Sequence, residues 1–277
     1  MSDFFDIGLY KHHLSTELFG DVLLVEKQIP STNSALKARR DTPGESCHGL
    51  VLLAEHQTRG RGQHNREWIS SPGKNLTFSL QVCPDRSERL LLLSLCMASS
   101  IRRVLNAIDA DVRGRVSVKW PNDVLIDGRK VAGILTEGVF QGHKLEKVIL
   151  GVGVNVHQSP GANNLDPDKT TSIHLETHRM VSREWLLASI LNHFEEMYLQ
   201  WESRSDILYR TVSHELDGFG RWVHVEVDGI LRKDPVKFLG VNEYGSCLML
   251  NEELNVDTFT HEQIRIITGR EVGTKAS

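Results

Sequence analysis

The sequence has few cysteines, and none is placed as a cross-link or a metal site would require. Four occur in 277 residues, Cys47, Cys83, Cys96 and Cys247, and no two form a C-x-x-C pair. Disulfide frameworks and zinc sites need paired or closely spaced cysteines, so the spacing argues against both. Cys47 stands beside His48, but adjacent residues rarely face each other, and we interpret Cys47 as a small loop residue rather than a nucleophile.

A long hydrophobic run and a signal sequence are also missing. The longest apolar stretch lies around residues 90–98, whereas a helix needs about 20 residues to cross a bilayer. The amino terminus, MSDFFDIGLY, has an early acid and no basic stretch before an apolar run, so it lacks the form of a secretory signal. These features predict a cytoplasmic protein with no membrane partner.

The chain has no excess of positive charge. Its formal net charge is -4 and its pI is about 6.4, so no electrostatic attraction to DNA or to an anionic membrane is built in. With 40% hydrophobic and 25% charged residues, it has the composition of a soluble globular protein that buries a core. We expect one large domain or two unequal ones, and no DNA partner.

Strand and helix patterns follow one another through the first two hundred residues. Strands are predicted at 22–27, 49–57 and 75–82, and a long buried helix at 85–108. Ser31 can cap a short helix, and Ser182 a long one that ends at Glu202. Between them, residues 116–120, 124–126, 130–140 and 147–156 form an antiparallel meander in which Asp127-Gly128 makes a hairpin turn.

Beyond Gly220 short apolar strands alternate with turns. The strands are predicted at 221–227, 236–241, 246–251 and 263–268, with Asp228-Gly229 as one of the turns. This pattern is typical of an all-β module of about fifty residues, a barrel of the SH3 type. Because so small a module buries little surface, we expect it to pack on the larger domain. The predicted domains are 1–219 and 220–277.

A polar loop after the second predicted strand carries alternating glycines and arginines. Residues 57–68 read QTRGRGQHNREW. Such a loop can bring backbone N–H groups and guanidinium groups against a phosphate or a carboxylate. The G-x-x-x-x-G-K-[ST] spacing of a Walker P-loop is absent. Taken alone, the segment is better explained as a flexible basic surface loop.

Three further segments gather polar groups and glycines on the meander. Residues 119–123, KWPND, stand at a strand end that the proline terminates, where a lysine and a carboxylate suit neutralising an anion and orienting an amine. Residues 128–133, GRKVAG, return a second lysine toward the same end, and GVGVN follows at 151–155. Strand glycines suggest that a ligand or another backbone approaches closely. For KWPND alone, a turn with a solvated ion pair is the alternative, and for any single strand glycine a β-bulge or a tight crossing is about as good an explanation.

The order of these segments resembles the biotin protein ligase family. It runs from STN at 31–33 through Q-x-x-GRG with its following Trp68, KWPND and G-R-K-x-A-G to G-x-G-x-N ending at Asn155. The resemblance implies an α+β catalytic domain related to class II aminoacyl-tRNA synthetases and lipoate ligases, with an SH3-like domain behind it. It also implies ATP and biotin as substrates, Mg²⁺ without identifiable protein ligands, and a biotin carboxyl carrier protein domain as partner.

The resemblance assigns residues to both substrates. Biotin or biotinyl-adenylate positions are Ser31, Thr32, Asn33, Gln57, Gly60, Arg61, Gly62, Gln63, Lys130, Gly133, Gly151 and Gly153. ATP positions are Arg66, Trp68, Asn122 and Asn155, and catalytic positions are Arg61, Lys119, Asp123 and Lys130. These roles are chemically sensible, because the ureido ring of biotin needs polar donors and acceptors while its bicycle needs a narrow apolar slot. Arg61, Arg66 and Lys130 would neutralise charge, and Asp123 would orient or accept the proton of the carrier lysine.

Three positions depart from the family pattern. Gln63 stands where many members carry an arginine that helps to retain the adenylate, Asn65 where glycine is common, and Arg59 where a small residue is usual. If Arg59 or Arg66 compensates, the intermediate stays bound; otherwise it leaks and biotinylates bystander lysines.

Two other functions remain open at this point. One is a lipoate or octanoyl ligase of the same fold, and the other is a biotin-binding regulator that has lost catalysis. Some family members carry an amino-terminal DNA-binding domain, but only about twenty residues precede the first strand here, so we expect none. Members of the family are monomers or dimers, and a homodimer is among the expectations.

Overall fold

The computed structural model describes residues 4–40, 48–63, 66–84, 87–159, 161 and 165–267. Within these residues, the larger part of the chain is built on one mixed sheet flanked by helices. Its strands in chain order are β1 (Leu23–Glu26), β2 (Val51–Ala54), β3 (Leu76–Val82), β4 (Val116–Lys119), β5 (Asp123–Ile126), β6 (Arg129–Gln141) and β7 (Lys144–Val154). Their order across the sheet is β1-β2-β3-β7-β6-β5-β4.

The pairing follows the predicted meander. β1 lies parallel to β2, and the other neighbours in this sheet are antiparallel. Every strand predicted here is present, with ends shifted by three residues or fewer. Asp127 and Gly128 have φ values of 48° and 75°, which is the left-handed pair that a tight hairpin turn requires. The sequence signal and the turn geometry therefore agree.

Helices cover the sheet and begin where capping residues allow. They are α1 (Ile7–His13), α2 (Thr32–Ala38), α3 (Leu90–Ile108), α4 (Ile173–Thr177), α5 (Arg183–Glu202) and α6 (Asp206–Glu215). Ser182 caps α5 by accepting a hydrogen bond of 3.1 Å from the Trp185 backbone N–H. The long predicted helix begins at Leu90 rather than at residue 85, and residues 85–86 lie outside the described part. α1, α4 and α6 were not predicted.

The segment before β1 is part of the packed structure. Glu195 of α5 accepts backbone hydrogen bonds from Glu17 at 2.8 Å and from Leu18 at 2.7 Å. Asp6 caps α1 through the Leu9 backbone N–H at 3.0 Å. Residues 4–22 are thereby tied to the outer face of α5.

By length and composition, α3 is the one helix in the described residues that could cross a membrane. However, 67% of its apolar window is buried inside the protein, where it packs against α5 and β6. Its apolar surface is used by the core, as expected for a long buried helix.

The carboxy-terminal part forms a second, antiparallel sheet. Its strands are β8 (Trp222–Val227), β9 (Ile230–Leu231), β10 (Val236–Val241), β11 (Cys247–Leu250), β12 (Val256–Phe259) and β13 (Ile264–Ile267), with the order β12-β11-β10-β8-β13 and β9 paired with β8. The sheet is curled into a half-barrel. β12 and β13 end the described pairing instead of closing it, so the predicted SH3-like shape is present in an open form.

The two sheets share one hydrophobic core. Phe238 and Met249 of the second sheet are buried in the same cluster as Leu92 of α3. The Trp120 indole donates a hydrogen bond of 3.0 Å to the Gly245 carbonyl. We propose that the boundary between residues 219 and 220 separates two units that pack on each other through this shared core.

The cysteines of the described residues, Cys83, Cys96 and Cys247, are free thiols. Burial raises the pKa of the Cys96 and Cys247 thiols, which keeps them protonated and unreactive. Cys47 lies outside the described residues.

Candidate active site

Two adjoining cavities open beside the glycine-bearing strands of the first sheet. The smaller, of about 160 Å³, lies between the start of α2, the 57–68 loop and strands β3, β6 and β7. The larger, of about 820 Å³, lies between the 119–130 hairpin, residues 166–170 and β13. Both are bordered by Gln63, Arg66, Asn122, Asp123 and Lys130. Ligands placed in the two cavities would therefore meet at these side chains.

Most of the predicted site residues are brought together in the smaller cavity. They are Ser31, Thr32, Asn33, Gln57, Arg61, Gly62, Gln63, Arg66, Trp68, Asn122, Asp123, Lys130, Gly133, Gly151 and Gly153. The exceptions are Gly60, Lys119 and Asn155. Residues about 120 positions apart thus converge because the central strands of the sheet place their motifs side by side.

The beginning of α2 supplies a fixed polar wall. Gln57 Oε1 accepts hydrogen bonds from Thr32 N at 2.8 Å and from Thr32 Oγ1 at 3.0 Å. Ser79 Oγ on β3 lies 2.6 Å from Asn33 Oδ1 and 2.7 Å from Thr32 Oγ1. Thr32, Asn33 and Ser79 are buried and Gln57 is partly buried, and their mutual bonds hold their donors and acceptors in place.

Two strand glycines leave room for this wall and for an indole. A Cβ at Gly151 would lie 2.1 Å from Asn33 Oδ1, and a Cβ at Gly153 would lie 2.2 Å from Trp68 Cε2. The close approach predicted at these glycines is therefore present, but it is made by side chains of the cavity wall. Trp68 Nε1 is buried there and has no hydrogen-bond partner among the described residues, so it offers a donor to a ligand.

The Lys130 side chain folds back over the sheet toward Asp123. Its Nζ lies 2.7 Å from Asp123 Oδ1 and 5.7 Å from the centroid of the Trp68 ring. A Cβ at Gly133 would lie 2.8 Å from this nitrogen, so the end of the lysine would have to shift if residue 133 carried a side chain. The Lys130 backbone N–H donates to the Lys169 carbonyl at 2.8 Å, which ties the hairpin to the 166–170 segment.

The KWPND turn is fixed from both sides. Asn122 is buried, and its Nδ2 donates to the Ile134 carbonyl at 2.7 Å while the Ile134 N–H donates back to the Asn122 carbonyl at 3.0 Å. The Trp120–Pro121 peptide bond is cis. Asp123 is thereby held at the start of β5, at the border of the two cavities.

The 57–68 loop forms a narrow turn over the smaller cavity. Trp68 N donates to the Gly60 carbonyl at 2.9 Å, and Gly62 N donates to the Arg66 carbonyl at 2.8 Å. Backbone hydrogen bonds therefore join the described ends of the loop to each other. Asn65, one of the departures from the family pattern, lies outside the described residues.

A carboxylate that the sequence reasoning missed lies behind the cavity wall. Glu137 on β6 accepts hydrogen bonds from Lys37 Nζ at 2.8 Å and Asn33 Nδ2 at 2.9 Å, and from the two terminal nitrogens of Arg61 at 3.1 and 3.2 Å. Its side chain is 14% exposed. Alternation along β6 puts it on the same face as Gly133 and is the signal that could have identified it.

The electrostatic environment of Glu137 favours its charged form. Burial acts to raise its pKa, but hydrogen bonds from Lys37 and Asn33 and the charges of Lys37 and Arg61 outweigh burial, and the pKa lies below its ordinary value. Glu137 therefore remains an anion near the cavity and holds two cations.

Three predicted site residues lie apart from the smaller cavity. Lys119 lines the larger one. Gly60 supports Trp68, since a Cβ there would lie 2.3 Å from the Trp68 carbonyl oxygen. Asn155 is buried and is not among the residues lining either cavity. Its Nδ2 donates a hydrogen bond of 3.0 Å to the Thr171 carbonyl. Its Oδ1 has no hydrogen-bond partner among the described residues.

Comparisons with known proteins identify the family that this chain resembles. The profile of the Biotin/lipoate A/B protein ligase family matches residues 25–155. The bifunctional ligase/repressor BirA of Bacillus spizizenii is 30% identical over 238 residues, covering 79% of this chain and 71% of that protein. The biotin--[acetyl-CoA-carboxylase] ligase of Mycobacterium tuberculosis is 34% identical over 207 residues, covering 74% of each chain. The chain belongs to the biotin protein ligase branch of this family.

A solved structure of the biotin protein ligase family extends the likeness through both sheets. The enzyme from Aquifex aeolicus in complex with biotin and ATP has a TM-score of 0.74 and 27% identity, covering 90% of this chain and all of that one. The α+β fold is therefore the fold of the biotin protein ligases.

The sequence did not single out the apolar residues that line the smaller cavity of this biotin protein ligase family member. They are Phe78, Ile134, Leu135 and Val152. The acidic Glu67 lines the same cavity and was not singled out either. Apolar strand residues look alike whether they face a cavity or a core, so only the motifs around them marked the site. Among the described residues, no group of three or more His, Cys, Asp or Glu side chains could hold a metal ion.

Proposed function

We propose that the chain activates biotin with ATP to give biotinyl-5'-AMP and transfers biotin to a lysine of a biotin carboxyl carrier protein domain. The observation that carries the proposal is the pair of cavities bordered by Gln63, Arg66, Asn122, Asp123 and Lys130. Two substrates bound side by side would react there. The Aquifex aeolicus relative with biotin and ATP bound makes the same pairing of substrates the natural choice.

The smaller cavity suits biotin. Its polar wall, made by Thr32, Asn33 and Gln57, presents short hydroxyl and amide groups that match the ureido ring. Its apolar lining, from Phe78, Ile134 and Val152, suits the bicycle and the valeryl chain. Biotin placed with its ring at the polar wall would direct its carboxylate toward the shared border.

The larger cavity suits ATP. Basic side chains of Lys119, Lys169 and Arg265 line it and would attract phosphate groups. Asn155 would act on this side indirectly, by holding the Thr171 carbonyl beside the cavity. Mg²⁺ would enter with ATP, held chiefly by phosphate oxygens, which are the hard ligands it prefers.

In the first step, a biotin carboxylate oxygen attacks the α-phosphorus of ATP. The new O–P bond forms as the bond to the bridging oxygen breaks, and pyrophosphate leaves with the electron pair. Because both reactants are anions, catalysis requires neutralisation and alignment. Lys130 and Arg66 border both cavities and are placed to do this. Arg61 borders only the smaller cavity, and its guanidinium already pairs with Glu137.

In the second step, the ε-amine of the carrier lysine attacks the acyl carbon of the mixed anhydride and AMP leaves. A free lysine has a pKa of about 10.4, so the amine must lose a proton at neutral pH. Asp123, at the border of the cavities, orients the amine or accepts its proton. Lys119 would hold a phosphate or Asp123.

Two alternatives remain in view. A lipoate or octanoyl ligase would need the same adenylation chemistry, and the family that matches includes lipoate ligases. A non-catalytic biotin-binding regulator would keep the smaller cavity alone. The relatives named above favour biotin ligation, which we place in the cytoplasm.

The decisive experiment is to incubate the protein with Mg-ATP, an apo carrier domain and either biotin or lipoate. The mass of the carrier domain is then measured by mass spectrometry. We expect a mass increase of one biotin residue that requires ATP. A lipoyl adduct would favour the first alternative, and biotin binding without pyrophosphate release would favour the second. Native mass spectrometry of the same sample distinguishes a monomer from a homodimer.

A further inference from the structure

Glu137 connects three parts of the fold without lining either cavity itself. Its partners are Asn33 and Lys37 on α2 and Arg61 on the 57–68 loop. Two of these partners, Asn33 and Arg61, line the smaller cavity and not the larger one. A single, largely buried carboxylate on β6 therefore contacts both α2 and the described start of the 57–68 loop.

The Arg61 side chain links the described start of the loop to the sheet. Backbone bonds from Thr58 and Arg59 to Ile29 and Pro30 fix the start of the loop at 3.0 and 2.9 Å. Further along, the bond between Gly62 and Arg66 joins the loop to itself. The Arg61 side chain then reaches across to Glu137 through both terminal nitrogens, a geometry that fixes direction as well as distance.

We propose that Glu137 is a positioning residue for biotin: by pairing with Arg61 it holds the described start of the 57–68 loop beside the smaller cavity, and by accepting from Asn33 it fixes the amide that faces the ureido ring. The biotin part of this inference rests on the proposed function. Arg61 then serves mainly as a loop clamp, with its charge balanced by Glu137, and Arg66 and Lys130 carry the neutralisation of phosphate.

The kinetic test uses Glu137→Gln, which keeps the size and shape of the side chain and removes its charge. In biotin-dependent ATP/pyrophosphate exchange, the KM for biotin rises about tenfold, as expected when a partly buried charge-assisted pair is lost. The KM for ATP changes less than about twofold, because the partners of Glu137 do not line the larger cavity. Equal increases in both values, or no increase in either, would overturn the proposal.

A matched control is Glu215→Gln. Glu215 is also a partly buried glutamate, 20% exposed, and pairs with Arg102 at 3.1 Å, and neither residue is among those lining the two cavities. It is expected to leave both KM values within about twofold of wild type. A shift in biotin KM equal to that of Glu137→Gln would mean that loss of any such ion pair produces the effect, and would contradict a positioning role.

A double variant tests whether Glu137 acts through Arg61. Since both residues belong to one clamp, Arg61→Gln with Glu137→Gln should raise the biotin KM no further than the larger single effect. Multiplied effects would show independent roles and would refute the clamp.

Hydrogen exchange supplies a readout that does not depend on activity. Backbone amides of a peptide covering residues 58–68 should exchange about tenfold faster in Glu137→Gln than in wild type, while Glu215→Gln leaves them unchanged. Unchanged exchange in Glu137→Gln would refute the clamp. If the wild-type protein catalyses no biotin-dependent ATP/pyrophosphate exchange, the proposed function fails. The amide hydrogen exchange still decides whether Glu137 holds Arg61 and its loop in place.

Discussion

Lys130 Nζ lies 2.7 Å from Asp123 Oδ1, although the two residues do not face each other across their strands. In the β5–β6 register Asp123 stands opposite Gly133, and Lys130 stands opposite Leu125. The lysine reaches the aspartate by folding over Gly133, where the absence of a Cβ leaves room for it. The contact between the two charged groups is a close ion pair. It does not have hydrogen-bond geometry, and Asp123 Oδ1 has no hydrogen-bond partner among the described residues. A glycine in a strand thus places a cation at the border of both cavities.

Lys130→Ala should reduce biotin-dependent ATP/pyrophosphate exchange by about a thousandfold or more. The change removes a cation from the border at which two anions must meet, and electrostatic stabilisation of that kind is commonly the largest catalytic effect. Lys11→Ala is the control, because Lys11 forms an ion pair with Asp21 on the distant α1 side. Exchange in Lys130→Ala close to wild type would remove Lys130 from the mechanism.

Asp123→Asn separates the two steps. We expect transfer of biotin to the carrier to fall by about a hundredfold, which is the size of a general-base contribution, and adenylate formation to fall much less. Single-turnover transfer from preformed biotinyl-5'-AMP measures one step, and pyrophosphate exchange measures the other. Equal losses in both assays would refute the role of Asp123 toward the carrier lysine.

The arrangement of the site could be foreseen because its residues occur in compact motifs. Segments such as KWPND and GVGVN combine strand ends with glycines, and the strand pattern already suggested that these ends share one sheet. The reason for the strand glycines was foreseen less well. A ligand or another backbone was expected to approach them, but the close neighbours of Gly151 and Gly153 are the side chains of Asn33 and Trp68. Contacts between segments 80 or more residues apart leave no local trace in a sequence.

Glu137 shows more clearly that contacts between distant segments cannot be predicted from the sequence. In the sequence it is one acidic residue in a long strand, where a solvent-facing position is the ordinary interpretation. Its burial depends on Lys37 and Arg61, which come from two other parts of the chain. The short helices were missed for a related reason: α1 packs on α5, and tertiary packing stabilises helices that are marginal by themselves. The curl of the second sheet likewise depends on how its strands pack.

Gly153→Ala should raise the KM for biotin or ATP at least tenfold while the protein stays folded. A Cβ at this position would lie 2.2 Å from the Trp68 ring, which would have to leave the cavity wall. Trp68 fluorescence should shift toward the red as the indole becomes hydrated. Gly161→Ala is the control, because no atom of the described residues lies within 4 Å of its added Cβ. An unchanged emission spectrum in Gly153→Ala would contradict this account.

Gln63→Arg tests retention of the intermediate. Gln63 borders both cavities, so an arginine there would add a cation beside the phosphate of biotinyl-5'-AMP. Dissociation of the adenylate should slow by about tenfold, and biotinylation of bystander proteins should fall. The release of labelled adenylate after gel filtration measures the rate. Equal release from the variant and wild type would indicate that other groups already retain the intermediate.

Glu55→Gln should destabilise the whole fold. Glu55 follows β2 and pairs with Arg183 at 2.6 Å, with side chains only 5% and 8% exposed, and it also accepts from the Phe5 backbone N–H at 2.6 Å. Removing one charge leaves the arginine buried without its counter-ion, which costs about 3–5 kcal/mol in comparable sites.

The loss of stability in Glu55→Gln depends on the burial of the ion pair. An exposed ion pair in the same chain serves for comparison. Arg103 and Glu196 lie 2.9 Å apart on α3 and α5 with side chains 59% and 57% exposed, where solvent screens the interaction to about 0.2–1 kcal/mol. Urea unfolding should therefore separate Glu55→Gln from Glu196→Gln by at least about 2 kcal/mol in the free energy of unfolding. Similar losses in both variants would mean that water enters the Glu55 site and that its charge pair is not buried in solution.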